Sequence, residues 1–272
     1  MTQIKRENPH DADAIRDWWR TGIIDMEPGK IHFRGHPIES LIGDVSLVQM
    51  IMLMLWGEIP DQAQSKLLEA ALVAGVDHGP QAPSIAAARM AATCGLGLNN
   101  VMATAVNMLG DVHGGAGEQC AELYFDVARR MDEGALMATA VNEGLDEWRA
   151  QHGKIVSGFG HRFHRPVDPR APRLMELVRS AAKDGVVNGR FADIGEMIQK
   201  TIGDQRGQPI AMNIDGATAV IFCELGFPPP LSRGLFCLSR SIGVLAHGWE
   251  QMQQGGRNKG PMPPDYLPRY QP

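Results

Sequence analysis

The feature that most constrains this 272-residue chain is a succession of Ala-, Leu- and Met-rich segments with apolar residues at helical spacing. Gly, Pro and Asp residues separate these segments, as they separate helices in globular proteins. Strand-forming runs do not alternate with them, which argues against a Rossmann or barrel fold. The chain is therefore predicted to be mainly α-helical, with helices at residues 46–56, 64–75, 83–93, 100–110, 117–132, 135–150, 172–184, 192–202, 216–226 and 231–254.

One segment favours β-structure instead. In "GIIDMEPGKIHFRG", residues 22–35, two short runs of β-branched or aromatic residues flank the turn-forming sequence Glu27-Pro28-Gly29-Lys30. This pattern predicts a small N-terminal β-hairpin. At the other end of the chain, the last fifteen residues are rich in proline and are expected to form an extended arm.

The predicted helix 231–254 has apolar residues at spacings of three and four, which indicates a core-facing stripe: Leu235, Leu238, Ile242, Leu245, Trp249 and Met252. Arg240 and His247 lie on roughly the opposite side, among apolar residues that a solvated face would not carry. An unpaired buried charge is very costly, so Arg240 is expected to bind an anion unless it reaches solvent or pairs with an internal carboxylate.

Composition and charge exclude several classes of function. The net charge is -5 and no basic domain stands out, so nothing indicates a nucleic-acid partner. The longest apolar run, Val45 to Trp56, is too short to span a bilayer, and the N-terminus lacks the apolar segment of a signal peptide. We therefore expect a cytoplasmic protein with neither a membrane nor a nucleic-acid partner.

The cysteines also favour a cytoplasmic protein. Cys94, Cys120, Cys223 and Cys237 are widely spaced, lie in apolar surroundings and form no C-x-x-C pair. Neither a disulfide framework nor a structural zinc site is indicated, so reduced thiols in the core are expected.

Four segments combine titratable side chains with glycines: "DHGPQAPS" (77–84), "GDVHGGAGE" (110–118), "GFGHRFHRPVDPR" (158–170) and "NIDG" (213–216). Taken singly, a histidine beside glycines is typical of a loop residue that caps a helix. Together, His78, His113 and His161 offer neutral hydrogen-bond donors or general acids near physiological pH. The glycines allow the backbone to approach a ligand closely.

Asp215 and several arginines complete this set. Asp215 precedes an apolar predicted helix, so desolvation is expected to raise its pKa and suit it to carry a proton. Arginines can hold carboxylates or phosphates through two hydrogen bonds, and four occur close together: Arg162, Arg165, Arg170 and Arg173. The residues alone therefore predict an acid/base enzyme that acts on a small polyanion.

Other chemistries fit the sequence less well. His161, His164 and His152 could form a metal site, but no carboxylate or cysteine at ligand spacing supports one, so no metal is predicted. The chain has no G-x-S-x-G elbow, P-loop or G-x-G-x-x-G fingerprint.

These segments resemble, in order, the motifs of the citrate synthase family. "FRGHPIESLIGDVSLVQMIMLMLWGEIPD" resembles that family's "RGYPIEDLA…LLLxGELP", and "HGGAGE" resembles "HGGANE". "GFGHRFHRPVDPRA" resembles "GFGHRVYKxxDPRA", "NIDGATA" resembles "NVDxxSG", and "LFCLSRSIGVLAH" resembles "LFxxxRxxGWxAH". The likeness extends from about residue 21 to residue 250. "DHGPQAPSIAAAR" and "NIDG" are most similar to the short citryl-CoA lyases and to the citryl-CoA lyase module of ATP-citrate lyase.

The resemblance implies a mainly α, citrate synthase-like fold of two helical domains with a small N-terminal β-hairpin. Residues 1–115 and 229–272 would form the large domain, and residues 116–228 would form a small inserted domain. A homodimer is implied, with the active site in the cleft between the domains. The Ala-, Gly- and Met-rich segments "PSIAAARMAATCG" and "VMATAVNMLG" would contribute to the dimer interface.

The resemblance also implies roles for individual residues. His113 would stabilise the enolate of acetyl-CoA, Asp215 would move the methyl proton, and His161 would act at the oxaloacetate carbonyl or citryl hydroxyl oxygen. Four residues would bind the substrate: His78, Arg165, Arg170 and Arg240. The substrates would be coenzyme A thioesters (acetyl-CoA or citryl-CoA) and oxaloacetate, with no permanently bound cofactor.

The activity that the resemblance favours is that of a citryl-CoA lyase in tricarboxylic acid metabolism. The alternatives are a citrate or 2-methylcitrate synthase, which shares every proton-transfer group, and a non-catalytic paralogue. Two departures from the synthases favour the lyase: the chain is shorter, and Gly216-Ala217-Thr218 follows Asp215. A further departure concerns the site, where Gly117 replaces an Asn. The tail lacks the Arg-Pro-Arg of synthases, so the source of a third carboxylate contact is open.

Overall fold

The computed structural model describes residues 12–272, which are mainly helical as predicted. The described part of the chain divides into two compact units, one up to residue 65 and one from residue 66 to residue 272. The helices are α1 (Ala12–Asp17), α2 (Ile38–Leu41), α3 (Leu47–Trp56), α4 (Gln62–Gly75), α5 (Pro83–Thr93), α6 (Leu98–Val106), α7 (Ala116–Asp132), α8 (Met137–His152), α9 (Arg170–Lys183), α10 (Arg190–Arg206), α11 (Ile214–Glu224) and α12 (Pro229–Gln254).

The first unit contains a small antiparallel sheet and the helix α3. Strands β1 (Ile24–Glu27) and β2 (Lys30–Phe33) form the predicted hairpin, and β3 (His36–Pro37), which was not predicted, pairs with β2. Ser46 begins α3 with a capping box, because its hydroxyl accepts from the Gln49 N–H while the Gln49 side chain accepts from the Ser46 N–H. Gly57, with φ of 87°, ends the helix in the left-handed conformation that glycine adopts without strain.

The second unit holds most of α4 and the helices α5 to α12, which form two packing centres. Helices α5, α6 and α12 enclose a core that includes Ile85, Val101 and Val244. The other centre is α11, which packs against α7, α9 and α10 and is buried from Gly216 to Cys223. A helix that is apolar on every side is expected to lie in the interior, and α11 does so.

All ten helices predicted from the sequence are present, with ends that differ by a few residues. Helix α6 ends at Val106, four residues before its predicted end. The chain then turns through a bridge between Gly110 and Gly114, which places His113 in a loop. The predicted domain boundaries at residues 115/116 and 228/229 stay predictions.

The prediction for the face of α12 was wrong in its centre. Leu235 is buried and Met252 packs against the core, but the four residues between them are solvent-exposed: Leu238 (52%), Ile242 (59%), Leu245 (42%) and Trp249 (54%). Arg240 and Val244 lie on the buried face instead. Gly243 and Gly248 allow the buried face of α12 to pack closely against its neighbours, since a Cβ at Gly248 would lie 2.8 Å from a Val101 methyl carbon.

The C-terminal arm and the cysteines can be compared with their predictions. Residues 256–272 form neither helix nor strand and are exposed, as predicted for the arm. Its start is held by Asn258 and Lys259, whose N–H groups donate to the carbonyl and hydroxyl oxygens of Thr93. All four cysteines are free, but Cys94 is exposed, so the prediction of core thiols was wrong at that position.

Within residues 12–272, none of the helices combines the length and the apolar character needed to cross a bilayer.

Candidate active site

The predicted site residues meet in the second unit, around a cavity of about 400 Å³ that we call the central cavity. Six of the seven line it: His78, His113, His161, Arg170, Asp215 and Arg240. Arg165 does not; it lines an adjoining cavity of about 590 Å³ that shares His161 with the central cavity. The sequence segments that carry these residues are up to 162 positions apart, and α4, α9, α11 and α12 bring them together.

His113 is oriented by the N-terminus of α5. Its Nε2 accepts from the backbone N–H of Ser84 at 3.2 Å and lies 2.9 Å from the Ser84 hydroxyl. A backbone N–H can only donate, so Nε2 is unprotonated and the neutral ring carries its proton on Nδ1. Burial and the positive charge of Arg240 lower the pKa of His113. The ring is therefore a neutral donor at physiological pH.

His161 is held in the opposite tautomer. Its Nδ1 accepts from the backbone N–H groups of Phe163 at 3.0 Å and His164 at 2.9 Å. The neutral ring therefore carries its proton on Nε2. Burial lowers the pKa of His161, and the neighbouring His164 and His78 oppose its protonation further, although Asp168 favours it. Two neutral histidines thus face this region, each fixed by backbone donors.

His78 lies beside His161, with their ring centroids 5.4 Å apart. Burial and the charge of Arg170 lower the pKa of His78. Its Nε2 is buried and has no hydrogen-bond partner among the described residues. A buried polar atom without a partner is costly, so this nitrogen is suited to a hydrogen bond with a bound ligand.

Arg170 is fixed by Asp168, a residue that the sequence analysis did not select. The Nε and terminal nitrogen of Arg170 donate to the two carboxylate oxygens of Asp168 at 2.9 and 2.8 Å. Asp168 also accepts from the backbone N–H of Ile214 at 3.1 Å and is 1% exposed. Burial opposes its ionisation, but the hydrogen bonds and charge of Arg170 together lower its pKa. Its place in "DPR", two residues before the arginine, was the available signal.

Asp215 occupies the first turn of α11. Asn213 caps this helix, because its side-chain oxygen accepts from the N–H groups of Asp215 and Gly216. Burial raises the pKa of Asp215, although the charges of Arg170 and Arg240 act against that rise. A Cβ at Gly216 would lie 2.5 Å from the Gly158 carbonyl oxygen, so the glycine after Asp215 lets the two segments approach.

Arg240 is the charged residue that α12 places in the core. It is 6% exposed, its Nε donates to the Gly75 carbonyl at 3.1 Å, and its guanidinium carbon lies 4.9 Å from the Phe236 ring centroid. Burial lowers its pKa, and Asp77 and Asp215 oppose this. None of the described residues offers it a carboxylate within salt-bridge distance, which supports the prediction that it binds an anionic ligand.

A second set of contacts fixes the loop that carries His78. His247 of α12 accepts at Nδ1 from Arg89 at 3.2 Å and therefore donates from Nε2 to Asp77, also at 3.2 Å. Asp77 accepts as well from the N–H of Gly79 at 3.0 Å. The sequence analysis noted His247 but did not connect it with Asp77, because the two are 170 residues apart.

The sequence analysis considered His152, His161 and His164 as metal ligands and predicted no metal. The structure separates these three residues, because His152 lies elsewhere, lining a polar cavity and stacked on Trp148. His78, His161 and His164 do lie close enough together, with one ligand atom of each within 4.8 Å of the others. However, Nδ1 of His161 is occupied by two backbone donors and Nε2 carries the proton, so this ring has no free lone pair. The donor set does not fit a metal ion.

Comparison with known proteins gives one family. The chain matches the model for the citrate synthase C-terminal domain over residues 14–72 and 61–262. It is 31% identical to citryl-CoA lyase from Hydrogenobacter thermophilus, whose solved structure it matches with a TM-score of 0.79 over 94% of this chain and 98% of that chain. ATP citrate lyase from Methanothrix soehngenii, solved with citrate and coenzyme A, matches in fold with a TM-score of 0.76 at 18% identity, covering 100% of this chain and 46% of that chain.

Several curated sequence relatives are named citrate synthase, and others are named ATP-citrate synthase subunit 1. The citrate synthase of Acidithiobacillus ferridurans is 28% identical over 246 residues, which cover 89% of this chain and 61% of the relative. Across this and three further citrate synthases, the match spans between 50% and 61% of the relative's length.

Proposed function

This chain belongs to the citrate synthase family, and from that premise we propose that it is a citryl-CoA lyase, which cleaves citryl-CoA to acetyl-CoA and oxaloacetate by a retro-Claisen reaction. One observation carries the proposal: a carboxyl group with a raised pKa, two neutral histidine donors and two arginines line a single cavity. The match to a citryl-CoA lyase, at 31% identity and a TM-score of 0.79, supports this activity.

The cationic side of the central cavity would bind the carboxylates of the citryl group. Arg170 retains donors beyond those used by Asp168, and Arg240 has no carboxylate partner among the described residues. His78 would hold a carboxylate or carbonyl oxygen through its unpartnered Nε2. In the adjoining cavity, Arg165 and Arg206 would bind the phosphates of coenzyme A, with His161 between the two ends of the substrate.

The reaction begins when the tertiary hydroxyl of citryl-CoA loses its proton. His161 or a water that it holds could accept this proton, and the observed tautomer supports the water, because Nε2 of the neutral ring already carries a proton. The ring N–H would instead donate to the hydroxyl oxygen as it becomes the oxaloacetate carbonyl. The carbon–carbon bond then breaks, and its electron pair forms the enolate of acetyl-CoA.

The enolate is then stabilised and protonated. His113 would donate from Nδ1 to the enolate oxygen, a contact of a kind worth roughly 3 kcal/mol in a site that excludes water. Asp215, protonated at that moment, would deliver its proton to the enolate carbon and yield acetyl-CoA. The hydroxyl proton leaves to solvent, and Asp215 regains a proton before the next turnover.

The residues that line the central cavity come from both predicted domains. His78, His113 and Arg240 belong to the predicted large domain, residues 1–115 and 229–272, whereas His161 and Asp215 belong to the predicted small domain, residues 116–228. We propose that closure between these parts excludes water from the enolate.

Citrate or 2-methylcitrate synthase activity is the second candidate, because several curated sequence relatives are named citrate synthase and the same groups would serve the condensation. A non-catalytic paralogue is disfavoured, since it would have no reason to keep His113, His161 and Asp215 around one cavity.

The direction of the reaction tests the proposed function. The purified protein is incubated with citryl-CoA while acetyl-CoA and oxaloacetate are measured, and separately with acetyl-CoA and oxaloacetate while free coenzyme A is measured. Rapid cleavage of citryl-CoA with little release of coenzyme A is expected. Release of coenzyme A at a rate comparable to cleavage would make the protein a synthase, and absence of both reactions would contradict the enzyme proposal.

We also propose a homodimer whose C-terminal arm supplies the third carboxylate contact to the partner's site. The arm is exposed and carries three cations, Arg257, Lys259 and Arg269, while Arg170 and Arg240 account for two contacts. Truncation after Gly256 should weaken citryl-CoA binding far more than it lowers thermal stability. Full activity in the truncated protein would contradict this role for the arm.

A further inference from the structure

His164 lies beside the groups of the central cavity, although the reaction proposed above does not use it. Its ring centroid lies 4.5 Å from that of His161 and 5.5 Å from that of His78. His164 lines the adjoining cavity together with Arg165 and Arg206, whereas His161 lines both cavities. The family motif "GFGHRVYKxxDPRA" has Tyr at this position, so the resemblance assigns His164 no role.

The rings of His78, His161 and His164 can surround one oxygen atom. One ring nitrogen of each residue lies within 4.8 Å of a ring nitrogen of the other two. Three atoms with these separations can all lie within about 2.8 Å of a common point, which is hydrogen-bond distance. Nε2 of His78 is buried and has no partner among residues 12–272, so a bound oxygen would supply the hydrogen bond that it lacks. The cluster therefore suits a hydroxyl group, which both accepts and donates hydrogen bonds.

The three rings differ in whether they can accept a proton. His161 cannot, because its Nδ1 accepts from two backbone N–H groups and Nε2 of the neutral ring already carries a proton. His78 is poorly suited, since burial and the charge of Arg170 lower its pKa. The ring of His164 forms no hydrogen bond within residues 12–272, where its backbone N–H alone bonds to His161. A neutral imidazole always has one unprotonated nitrogen, so His164 is the best acceptor of the three.

We propose that His164 is a catalytic residue that takes the proton of the citryl hydroxyl group. This inference rests on the proposed function and names an acceptor for a proton that would otherwise pass to a water. The hydroxyl oxygen would lie between the three rings, accepting from the N–H of His161 and donating to the unprotonated nitrogen of His164. The O–H bond breaks as its proton moves to His164, and the electron pair left on oxygen forms the oxaloacetate carbonyl while the carbon–carbon bond breaks.

The proton then has a route out of the site. His164 lines the adjoining cavity, so the protonated ring can return to the neutral state by releasing its proton to water there. Asp168 lines the same cavity and is held ionised, so its negative charge offsets those of Arg165 and Arg206 and favours a transient positive charge on His164. Asp215 gives its proton to the enolate carbon and regains one from solvent, so the two transfers balance over one turnover. In the condensation direction, His164 would return the proton to the oxygen.

Substitution of His164 tests the proposal in the full chain. His164→Gln keeps hydrogen-bonding groups at the position but cannot take up a proton, and it is compared with His152→Gln, which removes a histidine outside both cavities. The rate of citryl-CoA cleavage should fall about a hundredfold in His164→Gln and stay at the wild-type value in His152→Gln. Cleavage by His164→Gln at the wild-type rate would overturn the proposal and leave the proton with a water. Absence of cleavage by the wild-type protein would overturn it together with the proposed function.

A partial reaction separates the loss of a proton acceptor from a loss of structure. In deuterium oxide, the methyl hydrogens of acetyl-CoA exchange through its enolate, a step that would need His113 and Asp215 but not the hydroxyl proton. Malate, which has the carbon skeleton of oxaloacetate without its ketone, is bound in the place of oxaloacetate while the exchange is measured. His164→Gln should exchange these hydrogens within about twofold of the wild-type rate, although it cleaves citryl-CoA slowly. A loss of exchange as large as the loss of cleavage would show that His164 only supports the structure of the site, and would overturn the proposal.

Discussion

Asp168 and Asp215 are both neighbours of Ile214. Asp168 accepts a hydrogen bond from the Ile214 N–H, and Asp215 follows Ile214 in the sequence, yet the two carboxyl groups have opposite surroundings. Asp168 accepts hydrogen bonds from Arg170 and from the Ile214 N–H, which outweigh the effect of burial and lower its pKa. No residue within 12–272 donates such a hydrogen bond to the Asp215 carboxyl group, and burial raises its pKa. One carboxyl group is therefore held ionised while the other is disposed to carry a proton.

The difference shows how one fold assigns separate tasks to chemically identical side chains. A pair of acidic groups whose environments move their pKa values apart is typical of acid/base sites. Asp168 positions the arginine that would bind the substrate, and it also fixes the backbone from which α11 and Asp215 start. In the proposed reaction, Asp215 is left free to exchange its proton with the enolate carbon.

Removing the proton carrier should have the largest effect. Asp215→Asn keeps the size of the side chain but cannot transfer a proton, so kcat for citryl-CoA cleavage should fall roughly a thousandfold. Binding of citryl-CoA, measured by calorimetry, should change little. Asp184→Asn, at an exposed position after α9, serves as the control and should behave like the wild-type protein. Near-normal turnover in Asp215→Asn would remove the catalytic distinction between the two aspartates.

Removing the anchoring carboxylate should affect stability as well as activity. Asp168→Asn loses the paired hydrogen bonds to Arg170, and leaves that cation without its partner. The free energy of unfolding, measured with urea, should fall by about 2 kcal/mol, less than for a fully buried pair because Arg170 is partly exposed. KM for citryl-CoA should also rise. An unchanged unfolding midpoint would show that Asp168 does not anchor this region.

The two aspartates should also differ in how they link stability to pH. The folded-state pKa of Asp168 is lowered, so its stabilising contribution is present above its ordinary value of 3.8 and is lost as the pH falls through the folded-state pKa. The folded-state pKa of Asp215 is raised, so the folded protein binds the proton more tightly and loses stability as the pH rises from 3.8 through that pKa.

Asp215→Asn should therefore be more stable than the wild-type protein at pH 7, and this advantage should disappear below about pH 4. Urea unfolding of both proteins at several pH values measures the difference. A destabilised Asp215→Asn variant at pH 7 would contradict the raised pKa.

A third aspartate, Asp77, extends the comparison and should have a smaller effect on activity. Asp77 is held by His247 rather than by an arginine, and it precedes His78 in the central cavity. His247→Gln should raise KM for citryl-CoA by about three- to tenfold with little change in kcat, because the loop of His78 would lose one fixed contact. Glu176→Gln, which weakens only the exposed pair with Arg173, is the matched control. Equal effects of the two variants would place His247 outside the site.

The sequence predicted the helices and most of the site because these features depend on local patterns. Helical periodicity located α3 to α12, and glycine beside histidine marked the loops of His113 and His161. The orientation of α12 was predicted wrongly, because its large apolar residues at helical spacing lie on the exposed face while Arg240 and Val244 lie on the buried face. Periodicity shows that an apolar stripe exists but not whether the chain's own core covers it.

Contacts between distant segments were also outside the reach of local patterns. The tautomers of His113 and His161 depend on backbone N–H groups whose positions follow from the folded loops. The same holds for Asp168, whose importance comes from its bond to Ile214, 46 residues away. Such contacts exist only after the helices have packed.

A carbon-13 NMR titration of the aspartate carboxyl groups tests the central claim most directly. The protein is labelled with carbon-13 at aspartate, and the signals of Asp168 and Asp215 are assigned from the Asp168→Asn and Asp215→Asn variants. The signal of Asp215 should titrate above 3.8 and that of Asp168 below 3.8, since the folded surroundings move the two pKa values in opposite directions. Titration of Asp215 at or below the pKa of Asp168 would contradict the assignment of one carboxyl as proton carrier and the other as anchor.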